Sequence, residues 1–273
     1  MRYGIPDFKL PKALIDRRLA QMEAEGVSFV KRVSIGDEVS VQYLQKRFDA
    51  MVLAVGASMP RDLDVPGRGL QGIHHALDYL GCQIRKNAGE CLDNPLDARG
   101  ARVLVIGGGD TGHDCVETAL RQGALSVHQV ELQPDPTGQG RSAGIWPHFS
   151  RKPTPRVEGV ARSWQVGTEA FEGAEGRVIR WHGKQGGTGQ PMALDVDLVI
   201  LALGFLPVAP SSLANQLGLD LDGRGALAVA QDGSTGIPGV FAAGDGATGP
   251  SLVVRALQSG RTAARTVDRF LRG

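Results

Sequence analysis

The sequence predicts an α/β fold in which one unit with a parallel sheet is inserted into another. Residues 103–106 form a short apolar, β-branched run, which is typical of a strand buried on both faces of a parallel sheet. Two longer apolar runs, at residues 48–55 and 196–203, lie before and after this segment, and each is followed by glycine. Because these outer runs share one layout, we expect the chain to leave a parent domain, form the middle unit and return.

Three glycines in the spacing G-x-G-x-x-G follow the central strand directly, at Gly107, Gly109 and Gly112. The first permits a tight turn, the second lets a pyrophosphate approach the backbone, and the third lets a helix pack closely on the strand. Glu131 stands roughly twenty residues later, where a carboxylate can accept hydrogen bonds from a ribose 2′-hydroxyl. The pattern predicts a dinucleotide site made by Gly107, Gly108, Gly109, Asp110, Thr111, Gly112 and Glu131.

The composition argues against several classes of function. The 273 residues carry 30 basic and 29 acidic side chains, so no overall positive field is available to attract nucleic acid. The longest apolar runs are too short to span a bilayer, and we expect no membrane association. The cysteines, Cys82, Cys91 and Cys115, match neither zinc nor iron–sulfur spacing, and no metal site is expected. So sparse a set suits the reducing cytoplasm, where we expect the protein to act.

The amino-terminal part is expected to contain one helix and three strands. Residues 11 to 25 suit a helix, because proline is favoured in the first turn and Gly26 is a natural helix end. Residues 27–33, 39–44 and 48–55 are apolar, β-branched segments and are predicted as strands.

The remaining elements follow from the same signals. A short helix is expected to begin at His74 and His75, and residues 163–182 have the alternation of a β-hairpin. Residues 237–245 read as a strand that ends in a small residue, a glycine and an acid. After a loop, Ser251 is expected to cap the last helix through its hydroxyl.

Seven short sequence segments, spread over almost the whole chain, together form a distinctive pattern. They are residues 3–12 (YGIPDFKLPK), 54–57 (AVGA), 60–63 (PRDL), 107–112 (GGGDTG), 203–205 (LGF), 238–245 (PGVFAAGD) and 251–254 (SLVV). In these segments the chain resembles the small subunit of glutamate synthase and its relatives, which are flavoproteins. The resemblance implies two nested Rossmann-like dinucleotide-binding folds with parallel sheets.

The resemblance also implies where two cofactors bind. NAD(P)H would bind at residues 107–112, and FAD would lie over an amino-terminal turn and beside the glycines that end two other strands. Hydride would pass from NAD(P)H to FAD, a step that demands no catalytic acid or base. The residues implied for FAD are Tyr3, Gly4, Ile5, Pro6, Gly56, Ala57, Gly244, Asp245, Ser251, Leu252 and Val253.

In the family, electrons then leave through iron–sulfur clusters to a large subunit. That subunit makes L-glutamate from 2-oxoglutarate and glutamine, so the resemblance implies the large glutamate synthase subunit as a partner. The chain departs from the family in lacking the cluster cysteines and the first glycine-rich turn that holds the FAD pyrophosphate. We therefore expect an amino-terminally shortened chain with an incomplete FAD fold, whose missing half is a second candidate partner.

The sequence also bears on the choice between NADH and NADPH. No arginine follows Glu131 closely, and a carboxylate there would repel a 2′-phosphate, so NADH is favoured.

The expected domains are residues 1–57 with 204–273 as the remainder of the FAD-binding domain, 58–100 as a connector, and 101–203 as the NAD(P)H-binding domain. Two alternatives stay open: an inactive or split fragment that only binds nucleotides, and a related reductase subunit with another acceptor.

Overall fold

The computed structural model describes residues 1–93, 95–135, 159–207 and 211–273. Its helices are α1 (Lys12–Ala24), α2 (Val41–Arg47), α3 (Ala76–Asn87), α4 (Asp110–Gln122), α5 (Ser211–Leu217), α6 (Asp245–Thr248) and α7 (Val253–Arg272). Its strands are β1 (Met51–Leu53), β2 (Met59–Pro60), β3 (Ile73–His75), β4 (Arg102–Ile106), β5 (Ser126–Glu131), β6 (Val160–Trp164), β7 (Val166–Ala174), β8 (Arg177–Gln185), β9 (Pro191–Asp195), β10 (Leu198–Leu201), β11 (Phe205–Leu206) and β12 (Val240–Ala242). The predicted α/β class with parallel sheets is confirmed.

Contacts within the chain divide it into two compact units. The first comprises Met1–Glu25 and Asp62–Leu203, and the second comprises Gly26–Arg61 and Gly204–Gly273. The amino-terminal segment therefore packs with the first unit, and the expected connector contributes β3 and α3 to that unit. The assignment of one cofactor to each domain stays a prediction.

The first unit is built on a five-stranded parallel sheet in the order β3-β10-β4-β5-β6. Alternate residues of a strand point to opposite faces. Val103 and Val105 accordingly pack in one buried cluster with residues of α3 and α4, whereas Leu104 and Ile106 pack in a second cluster that includes Trp181. Apolar burial on both faces fixes the central strand in the sheet, as its continuous apolar run predicts.

A three-stranded antiparallel sheet, in the order β7-β8-β9, contributes to the second of these clusters. The hairpin expected at residues 163–182 is confirmed as the β7–β8 pair. Trp181 on β8 is fully buried, and its indole N–H donates to the hydroxyl of Thr168, 3.0 Å away. The buried donor is thereby satisfied, which removes the cost of placing an indole in the core.

The second unit contains two small sheets. Strands β1 and β12 pair in parallel, and β2 pairs with β11 in antiparallel. Its buried cluster gathers residues of α2, β1, α5 and β12, among them Val41, Leu53, Leu213 and Val240.

Two predicted strands near the amino terminus are wrong. Residues 27–33 form no strand, and Phe29 and Val30 are 39% and 82% exposed, so no sheet face buries them. In the segment predicted as residues 39–44, Val41 begins helix α2 instead. The hydroxyl of Ser40 accepts a hydrogen bond from the backbone N–H of Tyr43, so a helix cap decides the local structure.

Two other boundaries also differ from the prediction. His74 and His75 are the last residues of β3, and α3 begins only at Ala76, because His74 and His75 pair with β10. Ser251 does not cap the last helix. The cap position belongs to Leu252, and the Ser251 hydroxyl instead donates to the Asp245 carboxylate at 3.3 Å.

Candidate functional site

The predicted glycine turn joins β4 to α4 inside a β–α–β crossover of the parallel sheet. Gly107 has φ +123°, a region that favours glycine, and its N–H donates to the Val130 carbonyl at 2.8 Å. A Cβ on Gly107 would overlap the carbonyl oxygen of Ala202 at the end of the neighbouring strand. The first glycine is therefore required both by its conformation and by the packing of β4 against β10.

Gly108 and Glu131 lie against each other. A Cβ on Gly108 would overlap the Glu131 carboxylate, so that carboxylate rests directly on the turn. One of its oxygens accepts a hydrogen bond from the Gln133 N–H at 3.1 Å, which orients the side chain. The acidic residue at the end of β5 is thus beside the glycines, as its distance along the sequence predicts.

Gly109 and Gly112 differ in what surrounds them. A Cβ on Gly109 would meet nothing within 4 Å, so the backbone faces open space there. A Cβ on Gly112 would overlap the Gly107 carbonyl oxygen, so the third glycine lets α4 pack on the turn. The open position is where a phosphate group could approach the backbone.

Helix α4 directs its amino terminus at this open position. Gly109 is the N-cap, and no side chain caps the first turn. The backbone N–H groups of the first helical residues, Asp110, Thr111 and Gly112, have no partner within the helix, and they carry the positive end of the helix dipole. Such an end can bind an anion, for example a phosphate group.

Gln129 completes the turn and was missed by reasoning from the sequence. Its side-chain amide donates to the Gly107 carbonyl at 2.8 Å, and the residue is only 4% exposed. The sequence carries no clear signal for this role, because Ser126, His128 and Glu131 of the same strand are also polar. Only its burial in the folded chain shows that the amide needs a partner.

The amino-terminal turn packs on α3 and α4 within the first unit. The Arg85 guanidinium lies 4.8 Å from the centre of the Tyr3 ring, and a Cβ on Gly4 would lie 3.3 Å from a methyl group of Leu77. The carbonyl of Ile5 accepts from the Lys12 ammonium, and Pro6 is buried. These contacts give the turn a fixed conformation.

A partly buried ion pair connects the same segment to α4. The Lys9 ammonium is 2.5 Å from the Asp114 carboxylate and 3.4 Å from that of Glu117. Burial raises the pKa of Asp114, an effect that the Lys9 charge only partly offsets. Burial lowers the pKa of Lys9, but the two carboxylates outweigh it, so the net shift of that pKa is upward.

The second unit contains the residues predicted for FAD other than those of the amino-terminal turn. They are Gly56, Ala57, Gly244, Asp245, Ser251, Leu252 and Val253. Gly244 has φ +70° and precedes α6, whose first residue is Asp245. A Cβ on Gly246 would lie 2.7 Å from a methyl group of Val55 and 3.2 Å from the carbonyl oxygen of Gly56, so the turn after β1 packs against α6.

At the start of the last helix, one residue lies beside Asp245 and the next two are exposed to solvent. Ser251 contacts the Asp245 carboxylate, as described above. Leu252 and Val253 are 56% and 44% exposed, and Val253 begins α7. Ala57 is half-buried between β1 and β2. An acid at the end of a parallel strand can accept hydrogen bonds from hydroxyl groups, while a neighbouring helix amino terminus can attract an anion.

Across residues 1–93, 95–135, 159–207 and 211–273, no three His, Cys, Asp or Glu side chains are placed to hold a metal ion. Cys82, Cys91 and Cys115 are free thiols. No helix in the same ranges has the length and apolar composition needed to cross a membrane.

The chain is similar to known proteins over almost its whole length. The family model of pyridine nucleotide-disulphide oxidoreductases matches residues 14–260. The glutamate synthase [NADPH] small chain of Mycobacterium tuberculosis is 43% identical over 290 residues, which cover 100% of this chain and 59% of that protein. The putative small chain of Cereibacter sphaeroides is 36% identical, with coverage of 99% and 68%.

A solved structure agrees on the fold. FprA from M. tuberculosis, in complex with NADPH, matches with a TM-score of 0.68 at 21% identity, covering 99% of this chain and 74% of that chain. The family model and the two small chains show that the chain belongs to the pyridine nucleotide-disulphide oxidoreductases and, among them, to the glutamate synthase small-chain family.

Proposed function

We propose that the chain oxidises NAD(P)H and that the dinucleotide binds at the glycine turn of the first unit. The observation that carries the proposal is the open position at Gly109, which faces the amino terminus of α4 and lies between two glycines that packing requires. Unpaired backbone N–H groups there would bind the diphosphate. Glu131, resting on Gly108, would accept hydrogen bonds from the adenosine ribose.

We propose that the second unit contributes to an FAD site. Gly244 and Gly56 add no side chains of their own near Asp245, and the Ser251 hydroxyl donates a hydrogen bond to the Asp245 carboxylate. Asp245 would accept hydrogen bonds from hydroxyl groups of the cofactor. The exposed backbone at Leu252 and Val253 would face the isoalloxazine ring.

When bound, FAD supplies the chemistry of accepting a hydride and releasing electrons one at a time. The chain's own residues would bind and orient the two cofactors and exclude water from between them. No side chain would transfer a proton. The amino terminus of α7 would favour negative charge near Val253 by ~0.3–1 kcal/mol, the usual size of the effect for an exposed helix end.

NADH is the proposed donor, because Glu131 would repel the 2′-phosphate of NADPH. Replacing its charge in Glu131→Gln should weaken NADH binding by about tenfold, since a hydrogen bond to a charged group contributes about 1.5–3 kcal/mol. The same variant should bind NADPH more tightly than the parent does. Tighter binding of NADPH than of NADH by the parent would overturn this choice. The relative from M. tuberculosis is named for NADPH, so the choice of NADH departs from that name.

The wider proposal is that electrons pass onward for the synthesis of L-glutamate from 2-oxoglutarate and glutamine. It is supported by the similarity to glutamate synthase small chains, of which the chain spans 59% in the M. tuberculosis protein. The partner would be a large subunit, or a polypeptide that supplies the rest of the FAD site. Free cysteines support action in the cytoplasm, where disulfides are rare.

Anaerobic titration tests the proposal. The purified chain is supplied with FAD, and NADH and NADPH are added in separate titrations while flavin absorbance is recorded. Stoichiometric bleaching is expected with at least one of them. Binding of NADH in calorimetry, with no FAD binding and no bleaching, would instead favour a nucleotide-binding module. Absence of binding by both nucleotides would reject the proposed site itself.

A further inference from the structure

A cavity of about 220 Å³ lies in the first unit, between residues 6–8 and the helices α3 and α4. Its volume is several times the roughly 30 Å³ that one water molecule occupies in the liquid. It is smaller than the roughly 300–1,000 Å³ of sites that bind drug-sized ligands. A molecule of only a few heavy atoms therefore fits. Of its lining residues, Pro6 is also among the residues implied for FAD, and none belongs to the glycine turn at residues 107–112.

One wall of the cavity carries a directional chain of hydrogen bonds. The Tyr79 hydroxyl donates to Gln122 at 2.6 Å, whose amide donates to Gln83 at 2.7 Å. Gln83 in turn donates to Asn87 at 2.6 Å, and Asn87 donates to the Asp7 carboxylate at 2.7 Å. Each of these amides has two N–H donors and uses one of them in the chain. Spare N–H donors therefore stand along this wall.

Thr118 adds a buried polar group without a partner. The residue is 3% exposed, it lines the cavity, and its hydroxyl makes no hydrogen bond in the described part of the chain. A buried hydroxyl left unpaired costs about 1–3 kcal/mol. A ligand atom that pairs with this hydroxyl would recover that cost.

The charged groups around the cavity are already compensated. The Arg121 guanidinium lies 3.8 Å from the centre of the Phe8 ring and is 3.3 Å from the Glu117 carboxylate. The Asp7 carboxylate has Lys12 at 3.6 Å. Because each charge has a partner, the cavity favours a neutral ligand over an ion.

The chemistry of the walls selects one class of neutral molecule. Spare amide donors and the Thr118 hydroxyl call for a carbonyl acceptor, whereas the Asp7 carboxylate, with lone pairs to spare, calls for an N–H donor. Leu80 and Ile84, both buried, offer apolar contact for a short carbon chain. We infer that this cavity is a binding site for a small primary carboxamide, which presents its oxygen to Thr118 and its NH₂ group to Asp7.

Three isosteric probes test the inference on the full chain: butyramide, butyrate and pentan-2-one. Butyrate replaces the NH₂ group by a charged oxygen, and the ketone replaces it by a methyl group. Butyramide is expected to raise Tm in the millimolar range and to shift the side-chain NH₂ signals of Gln83, Asn87 and Gln122 in NMR spectra. The other two probes should bind at least tenfold more weakly. Equal binding of all three, or no shift of those signals, would overturn the inference.

A variant separates a ligand site from an imperfectly packed interior. Thr118→Val keeps the shape and removes the unpaired hydroxyl, so the ligand-free Tm should not fall, whereas butyramide affinity should drop at least tenfold. Thr262→Val, which removes the hydroxyl of a half-buried helical threonine in the other unit, should leave butyramide binding unchanged. Unchanged affinity in Thr118→Val would contradict the inference.

Discussion

At the scale of the residue, neighbouring glycines of the turn lack side chains for different reasons, and a pair of substitutions separates them. Gly112→Ala should lower the free energy of unfolding by about 1–3 kcal/mol, the usual cost of overpacking, because its Cβ meets the Gly107 carbonyl. Gly109→Ala should leave stability within about 0.5 kcal/mol, since the site is open and φ is −78°. Its methyl group should nevertheless weaken NADH binding by about tenfold, or 1.4 kcal/mol.

Chemical denaturation and NADH fluorescence titration measure these two effects. Gly26→Ala, at a helix end remote in sequence, is unsuitable as a control because its φ is +96°. Gly260→Ala is suitable, because a Cβ there meets nothing within 4 Å and the residue is helical. Equal loss of NADH affinity in Gly109→Ala and Gly260→Ala would contradict the proposed phosphate position.

Buried histidines should make stability depend on pH in the mildly acidic range. Burial, and then the nearby Arg162 charge, lower the pKa of His113, and burial lowers the pKa of His128. The folded state therefore disfavours their protonation, and their contribution to stability is present above a pH of about 6.5 and is lost as pH falls below it. His113→Gln should flatten the fall of the unfolding free energy between about pH 6.5 and 5, by at most about 1.4 kcal/mol per pH unit.

Urea denaturation at a series of pH values measures this slope. Adding His128→Gln should flatten it further, because burial lowers the pKa of His128 as well, and the two imidazoles have separate partners, Arg162 for His113 and Ser163 for His128. An identical pH slope in the parent and the double variant would show that neither residue stays neutral in the folded state.

At the scale of the element, the amino-terminal segment should depend on the ion pair that fastens it to α4. Lys9→Met leaves the Asp114 carboxylate, whose side chain is only 11% exposed, without its ammonium partner. The loss of unfolding free energy should be about 1–3 kcal/mol, less than the 3–5 kcal/mol of a fully buried pair, because the Lys9 side chain is 34% exposed.

A second substitution and the pH identify the cause. Asp114→Asn in the Lys9→Met background should restore part of the stability, because no unpaired charge remains. Since burial raises the pKa of Asp114, and a lost ammonium raises it further, the Lys9→Met deficit should shrink as pH falls. A deficit that stays constant from neutral to acidic pH would assign the effect to lost packing.

The same scale explains which elements the sequence predicts. The glycine turn is predictable because each glycine answers a local need of strand, turn or helix. Residues 27–33 have the composition of a strand, but a strand forms only where a neighbouring strand can pair with it. The local sequence does not show whether such a neighbour exists. At residue 40 a serine cap outweighs the apolar pattern that follows it. Gln129 and Ala202 shape the site from β5 and from the end of β10, through contacts that only tertiary structure specifies.

At the scale of the whole molecule, the two units differ in how well their sheets are covered. The five-stranded sheet of the first unit has buried clusters on both faces, whereas β1 and β12 of the second unit form a two-stranded pair in which Val52 is 44% exposed. Parallel sheets are stable when both faces are covered. Backbone amides of β4 and β10 should therefore exchange with deuterium more slowly than those of β1 and β12.

Hydrogen exchange also tests the two proposed cofactor positions in one experiment. NADH should slow exchange at residues 108–112 of the first unit, where the diphosphate would pair with N–H groups of the turn and of the first helical residues. FAD should slow exchange at residues 244–248 and 251–253 of the second unit, because it would cover the backbone beside Asp245. The Gly109→Ala variant serves as the internal control: it should lose the protection by NADH while keeping the protection by FAD. If NADH instead protected the second unit alone, the assignment of NADH to the glycine turn would be wrong, regardless of which residues FAD protects.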